Sequence, residues 1–166
     1  MEYCDFYSSP IGKLLIKVNG SKVVSLGFCD DQNLLNLKNV QQNEDSLIIR
    51  KVKRWLNCYF EGKNPAIDFE IEMICTEFQK EVYDIISKIP YGKVMTYKDV
   101  GDAIAKNRGI KKMSYRAVGG ALSKNKIIII IPCHRVIASN NKIGGFSCGL
   151  DKKEFLLSLE NNHKHQ

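Results

Sequence analysis

The spacing of apolar residues changes near Cys75, and this change constrains the fold more than any other feature of the chain. Before it, short apolar runs separated by turn residues are typical of strands. These runs occupy residues 3–7, 14–18 and 23–28. After it, apolar residues recur every three or four positions, as in amphipathic helices. The sequence therefore predicts two domains, an α/β (α+β) domain over residues 1–75 and a mainly helical domain over residues 76–166.

Turn chemistry in the first domain indicates an antiparallel sheet. Residues 9–12, Ser-Pro-Ile-Gly, and the Asn19-Gly20 pair each separate two strand-like runs, and Asn-Gly is a strong hairpin signal. A polar connector over 30–45 precedes a predicted helix that ends near Gly62. Alternating apolar residues over 67–73 predict a half-buried strand.

Capping signals in the second domain predict two short helices in a helix-turn-helix. Thr76 with Gln79 fits a capping box for a first helix, which Pro90 stops. Thr96 and Ser114 can then cap the two short helices, with a break at Gly109.

The end of the chain contributes a predicted strand and a predicted last helix. Five consecutive isoleucines, 127–131, predict a buried strand. Asp151 begins the helix, with Phe155, Leu156 and Leu159 facing inward.

The second short helix contains Gly119-Gly120, which costs about 1 kcal/mol per glycine relative to alanine. Something must therefore require small residues there. Close approach of a backbone explains the pair, and that backbone is either DNA or another helix.

Charge is divided unequally between the two parts. Residues 1–75 carry nine basic and ten acidic side chains, whereas residues 76–166 carry sixteen and eight, a net charge of +8. A positive surface in the second part favours a polyanionic partner, although basic side chains that only solvate a helix are the alternative.

The remaining composition favours an intracellular protein without a metal. No leader or membrane-spanning stretch is recognisable, and we expect no membrane association. The six cysteines are scattered, which favours reduced thiols over disulfides. Only His134 lies outside the polar tail, so we expect no metal site.

Cys133 is followed by His134 and Arg135, directly after the isoleucine run and Pro132. A thiol needs a positive charge, a base or a helix N-terminus nearby to become a nucleophile at neutral pH. We expect His134 to act through a turn or a bridging water, oriented by Glu160. The alternative is an inert buried cysteine beside a core histidine.

Several motifs then occur in a characteristic order. They are residues 116–121, Asn125, residues 131–136, residues 145–147 and residues 156–160. In this combination the chain resembles the O6-alkylguanine-DNA alkyltransferase (methylated-DNA–protein-cysteine methyltransferase) family, most specifically over residues 76–160. The resemblance implies a ribonuclease-H-like first domain with an antiparallel sheet, and a second domain with a helix-turn-helix.

The resemblance also implies a single-turnover direct repair of DNA without a cofactor. Cys133 would accept the alkyl group from guanine O6 irreversibly, while O4-alkylthymine stays an open substrate. A water, His134 and Glu160 would relay its proton, Tyr97 would donate to the leaving guanine, and Asn125 would tie the recognition helix to the active-site strand. The predicted substrate contacts are Val136, Phe146, Ser147 and Cys148.

The implied partner is double-stranded DNA containing alkylated guanine, with the damaged nucleotide flipped out through the minor groove. Arg116 would fill the vacated stack. The further predicted DNA contacts are Thr96, Ala117, Gly120, Lys124 and Arg135, and Lys98, Lys111 and Lys112 are available for phosphates. We expect a monomer, with cooperativity on DNA left open.

Four positions depart from the family pattern. Lys126 replaces a usual proline after Asn125, Phe146 replaces a usual tyrosine, and Cys148 replaces a usual glycine on the pocket loop. The stretch over 105–114 is longer and basic. Two other functions compete: a lesion binder without catalysis, which retention of Cys133 opposes, and a cysteine hydrolase, which would leave the glycine-rich basic helix unexplained.

Overall fold

A computed structural model describes residues 1–140 and 142–164 of the chain. Its contacts divide the chain into two compact units, one covering Met1–Met73 and the other beginning at Ile74. The domain limits 1–75 and 76–166 stay a prediction.

The first unit is built on two β-hairpins that share a strand. Strands β1 (Glu2–Ser9), β2 (Gly12–Asn19) and β3 (Lys22–Phe28) pair antiparallel, with turns at the two predicted positions. Two-residue strands β4 (Gln41–Gln42) and β5 (Glu70–Ile71) extend the sheet in the order β4-β1-β2-β3-β5. Both edge strands pair parallel to their neighbours, so the predicted antiparallel sheet is antiparallel only at its centre.

Two predictions for this unit need correction. The polar connector over 30–45 contains a short helix, α1 (Asp31–Leu35), as well as β4. The alternating stretch over 67–73 forms only the two-residue β5, and Ile67 is exposed. Alternation alone overestimated this strand because a strand also needs a pairing partner, and only Glu70 and Ile71 pair with β3.

Helix α2 (Leu47–Phe60) covers the sheet, as its apolar spacing predicted. Ser46 caps its first turn by accepting a hydrogen bond from the Ile49 backbone. Its inward side chains are buried, and they are Ile48, Ile49, Val52, Trp55, Leu56 and Tyr59. Burying each large side chain contributes about 1.5–3 kcal/mol to the core of this unit.

The second unit begins with three helices, each started by the predicted cap. They are α3 (Glu77–Ile86), α4 (Tyr97–Arg108) and α5 (Tyr115–Ser123), capped by Thr76, Thr96 and Ser114. Gly109 ends α4 in the left-handed conformation, with φ of 68°. These elements confirm the predicted helix-turn-helix.

The isoleucine run was predicted as a strand, and this prediction is wrong. Residues 127–131 form a buried, tightly turned segment, in which Ile129 has φ of 70°. It leads into a single 3-10 turn, Cys133–Arg135, and then into β7 (Val136–Ile137), which pairs parallel with β6 (Met95–Thr96). Left-handed φ in a β-branched residue is strained, so packing around the run must hold it in place.

Helix α6 (Leu150–His163) closes the unit. It buries Lys153, Leu156 and Glu160, which recur at three- and four-residue intervals on one face. Phe155 was predicted to face inward, but it is 38% exposed. The buried charged residues Lys153 and Glu160 take the inward positions instead, and both belong to the site described below.

Within residues 1–140 and 142–164, no helix is long and apolar enough to cross a membrane. No cluster of metal-ligating side chains occurs in that part of the chain either. All six cysteines are thiols.

Candidate active site

Cys133 lines an open cleft of about 890 Å³ in the second unit. The cleft is lined by α4, α5 and the loop after β7, together with the thiol itself. Its lining includes Tyr97, Lys98, Tyr115, Arg116, Gly119, Gly120, Cys133, Phe146 and Ser147. A cleft of this size is sufficient for a ligand larger than a single aromatic ring.

A buried carboxylate lies behind the Cys133 turn. Glu160 on α6 is 1% exposed, and its Oε2 lies 2.6 Å from Nε2 of His134. The backbone N–H of Gly92 donates to the other oxygen at 3.1 Å. The structure therefore brings together Glu160 and His134, two residues of the predicted proton relay.

Arg135 completes the same network, which corrects its predicted role. Its guanidinium donates to both oxygens of Glu160, from Nε at 2.8 Å and from Nη2 at 3.2 Å. A third bond, 2.8 Å long, goes from Nη1 to the carbonyl of Ile89. Arg135 was predicted to contact DNA phosphates, but it is buried and already paired, so it is an internal counter-ion of Glu160.

The charges in this network follow from burial and from Arg135. Burial alone would raise the pKa of Glu160, but hydrogen bonds from His134 and Arg135 and the positive charge of Arg135 lower that pKa to about 2. Burial lowers the pKa of His134, against the opposing effect of Glu160. At neutral pH the site therefore holds an ionised Glu160 and a neutral imidazole, which can accept a proton.

The thiol itself is not ionised at rest. Burial raises the pKa of Cys133 to about 11, while a hydrogen bond with Asn125 and the charge of Lys153 act in the opposite direction. A nucleophilic thiolate therefore requires a base, because the surroundings alone leave the proton on sulfur.

Lys153 is the main functional candidate that sequence reasoning missed. Its side chain is fully buried, and Nζ donates to the carbonyls of Val136 at 2.6 Å and Gly145 at 2.9 Å. Burial lowers its pKa to about 8. Lysine is almost never fully buried without a partner, and nothing in the local sequence distinguishes it from the neighbouring Lys152. Only the spacing to Glu160, seven residues on the same helix face, could have indicated it.

Tyr97, the first residue of α4, contacts the loop on the far side of the cleft. Its hydroxyl lies 3.2 Å from both the carbonyl and the backbone nitrogen of Gly145, donating to the first and accepting from the second. Burial raises the pKa of Tyr97, so the phenol is protonated at neutral pH. The predicted proton donor is therefore in the cleft and carries a proton.

Asn125 joins α5 to the segment before the thiol. Its side-chain amide donates to the Ile131 carbonyl at 2.9 Å and accepts from the Ile127 backbone at 3.0 Å. Lys126, which replaces a usual proline, does not prevent this link.

The predicted substrate contacts are distributed unevenly around the cleft. Phe146 and Ser147 line it, whereas Cys148 follows them outside the lining, with Sγ 4.0 Å from Oγ of Ser147. Val136 is fully buried, and its carbonyl accepts the bond from Lys153. Of the atoms of Val136, only the carbonyl oxygen can contact a ligand, because its second lone pair is not used by Lys153.

Helix α5 presents its small residues outward. A methyl group added at Gly119 or Gly120 would meet no atom within 4 Å outside the local helix backbone, among the residues that the structure describes. Packing against another helix of this chain therefore does not explain the glycines. Arg116 and Lys124 are exposed, Ala117 is half-buried, and Thr96 is occupied as the cap of α4.

Sequence comparison assigns both parts of the chain to one family. A profile of the 6-O-methylguanine DNA methyltransferase DNA-binding domain matches residues 77–162, and a profile of the ribonuclease-like domain of that family matches residues 3–73. A Methanosarcina barkeri protein named methylated-DNA–protein-cysteine methyltransferase is 40% identical over 161 residues, which are 97% of this chain and 98% of that protein. A Sulfolobus acidocaldarius protein of the same name is 35% identical over 93% of this chain and 90% of its own length.

Solved structures agree with this assignment. The crystal structure of Mycobacterium tuberculosis O6-methylguanine methyltransferase superposes with a TM-score of 0.85 at 31% identity, covering 98% of this chain and 94% of that one. The structure of Mycobacterium tuberculosis OGT in complex with DNA gives a TM-score of 0.85 at 30% identity, covering 97% and 94%. Because two profiles and relatives of matching length agree, this chain belongs to the O6-methylguanine DNA methyltransferase family.

Proposed function

We propose that Cys133 accepts an alkyl group directly from O6 of guanine in double-stranded DNA. The chain has the activity of its named relatives, methylated-DNA–protein-cysteine methyltransferase, and acts in direct-reversal DNA repair. The observation that carries the residue assignment is that Cys133 lines an open cleft and directly precedes His134, whose Nε2 lies 2.6 Å from the buried Glu160.

The proton and the alkyl group move in opposite directions in this mechanism. The Cys133 proton passes through a bridging water to neutral His134, and the resulting imidazolium is stabilised by ionised Glu160. The thiolate attacks the alkyl carbon, a carbon–sulfur bond forms, and the carbon–O6 bond breaks with its electron pair going to guanine. The product is an S-alkylcysteine, so each protein molecule reacts once.

Guanine is a poor leaving group unless its developing negative charge is met by donors. The Tyr97 hydroxyl, half-buried and protonated, would supply a proton to the guanine ring, and the Ser147 backbone N–H would donate to O6. Phe146 would stack beside the base, and the carbonyls of Cys133 and Val136 would accept from its exocyclic amine.

Helix α5 would lie in the minor groove, because its outward residues are glycine and alanine. The damaged nucleotide would rotate into the cleft, at a cost of about a few kcal/mol, with Arg116 filling the gap it leaves. Ala117 and Gly120 would allow close backbone approach, and Lys124 and Thr96 would contact the strand. Binding should weaken steeply with salt. We expect the reaction to need no cofactor, and a monomer to perform it inside the cell.

Incubation with a duplex containing O6-methylguanine tests this proposal. Intact-mass measurement should show one added methyl group per molecule, and peptide mapping should place it on Cys133. Cys133→Ala should abolish transfer yet retain DNA binding, whereas the matched variant Cys148→Ala should still accept one methyl group.

The two competing functions give different results in the same assay. A lesion binder without catalysis would bind the duplex and gain no methyl mass. A cysteine hydrolase would release product repeatedly and carry no stable alkyl group. Transfer that persists in Cys133→Ala would refute the assignment of the acceptor.

A further inference from the structure

The connection between α4 and α5 is longer than a helix-turn-helix usually has. It spans the six residues 109–114, where three or four are typical. The added residues include Lys111 and Lys112, both exposed, and they follow Lys106 and Arg108 in the last turn of α4.

Contacts at both ends fix this turn. The Ile110 backbone donates to the Ala105 carbonyl at 3.0 Å, and the Ser114 hydroxyl accepts from the Ala117 backbone at 3.2 Å. The Tyr115 ring packs on Gly101, where an added Cβ would lie 3.0 Å from the ring. The two lysines therefore extend from an anchored turn.

Two neighbouring cations are neutralised by carboxylates, whereas the lysines of the turn are not. Lys98 pairs with Asp102 at 3.2 Å, and Arg108 pairs with Glu81. Across residues 1–140 and 142–164, no carboxylate lies within 4.0 Å of the amino group of Lys111 or Lys112. Their full charge is available to an external anion.

The position of these charges indicates which anion. The Lys112 amino group lies 5.7 Å from the centre of the Tyr115 ring, and Tyr115 lines the cleft next to Arg116. The turn is therefore beside the cleft mouth and the start of α5. An anion that reaches both the cleft and the turn must be extended and carry repeated charges, as a DNA strand does.

We propose that Lys111 and Lys112 bind backbone phosphates of the duplex outside the stretch contacted by α5, so that the long turn enlarges the DNA footprint. The proposal rests on the proposed function for the identity of the duplex and its place at α5. It adds a second contact region, which does not read the base and does not touch the reacting atoms.

The test is the salt dependence of binding to an undamaged duplex, which consumes no protein. Each lost phosphate contact lowers the slope of log K against log salt by roughly 0.9. Lys111→Ala/Lys112→Ala should lower the magnitude of the slope by roughly 2, and Lys111→Arg/Lys112→Arg should retain it. The matched control, Lys38→Ala/Lys63→Ala, removes the same charge from exposed positions of the first unit and should leave the slope unchanged.

A wild-type slope in Lys111→Ala/Lys112→Ala, or an equal fall in the control, would overturn the proposal. The first result would also be expected if these lysines served an acidic protein partner. Methyl transfer to Cys133 from the free O6-methylguanine base should be unaffected by every one of these variants. Failure of the proposed function is distinguishable, since it appears as an unlabelled Cys133 in the wild-type protein.

Discussion

Among the residues that the structure describes, each compact unit buries one carboxylate side chain, and the two carboxylates have different surroundings. In the first unit Asp5 on β1 bonds Lys53 on α2 and, at 2.9 Å, Gln42 on β4. In the second unit Glu160 on α6 bonds His134 and Arg135. The Lys53 side chain is 30% exposed, whereas that of His134 is completely buried. One carboxylate joins three structural elements through partly hydrated partners, and the other holds a neutral base next to a protonated thiol.

Under the proposed mechanism, this difference separates a structural ion pair from a functional one. A buried ion pair is weak support for stability, because the loss of hydration offsets much of the attraction. In the structure, the Asp5 pair connects β1 to α2 and β4. In the proposed mechanism the Glu160 carboxylate would stabilise the imidazolium that forms when His134 takes a proton, so its charge would be used during the reaction.

The largest expected effect comes from neutralising each carboxylate in turn. Glu160→Gln keeps the shape but removes the charge and replaces one of the two acceptor oxygens with a donor, and we expect methyl transfer to slow by about 100-fold or more, since proton relays contribute about 10²–10⁴-fold. Asp5→Asn should lower stability while the folded protein transfers methyl at the wild-type rate. Single-turnover rates at a temperature where both variants are folded provide the measurement. Equal rates for the two variants would show that the Glu160 pair is only structural.

Lowering the pH should remove the stabilising contributions of the two carboxylates to different extents. The pKa of Glu160 is lowered from 4.5 to about 2, so its stabilisation is fully present above about pH 4.5 and is lost as the pH falls towards 2. The pKa of Asp5 is also lowered, from 3.8, so its contribution is lost only below that value. We expect wild type to lose about 2–3 kcal/mol more than Glu160→Gln between pH 6 and pH 3.

Urea unfolding at both pH values, followed by peptide-resolved hydrogen exchange, would measure this loss in each unit. The extra loss should appear in peptides of α6 and not in those of β1. An acid dependence of Glu160→Gln as steep as that of wild type in α6 would contradict the assigned charge state.

Local signals predicted most of the fold because they act over a few residues. The caps at Thr76, Thr96 and Ser114 and the Asn19-Gly20 hairpin turn are confirmed by the structure. The isoleucine run was misread as a strand because an apolar run shows burial without showing backbone direction. Its turn depends on distant packing and on the Asn125 link.

The site was predicted only in part, because some of its contacts are local in the sequence and others depend on distant packing. Sequence order and resemblance placed Cys133, His134 and Glu160 together, and the structure brings His134 and Glu160 into contact. Arg135 was assigned to the surface because a cationic side chain is usually exposed. Lys153 was missed because its two acceptors are backbone carbonyls, which every residue has and no sequence pattern marks.

The smallest expected effect on the transfer rate comes from replacing one buried or half-buried lysine in each unit. Lys153→Met removes a charge that lowers the pKa of Cys133 and two bonds that hold the Val136 and Gly145 carbonyls. We expect methyl transfer at pH 7 to slow by about tenfold, equivalent to about one pKa unit. Lys53→Met makes the same change beside Asp5, and it should reduce stability without changing the transfer rate of the folded protein.

The pH dependence of the Lys153 effect separates charge from shape. Burial lowers the pKa of Lys153 to about 8, so the wild-type protein itself loses this charge as the pH rises above that value. The ratio of wild-type to Lys153→Met transfer rates should therefore fall between pH 7 and pH 9. A constant ratio would mean that Lys153 acts only by holding the two carbonyls in place, and the second unit would then use its buried lysine for structure, as the first unit uses Lys53.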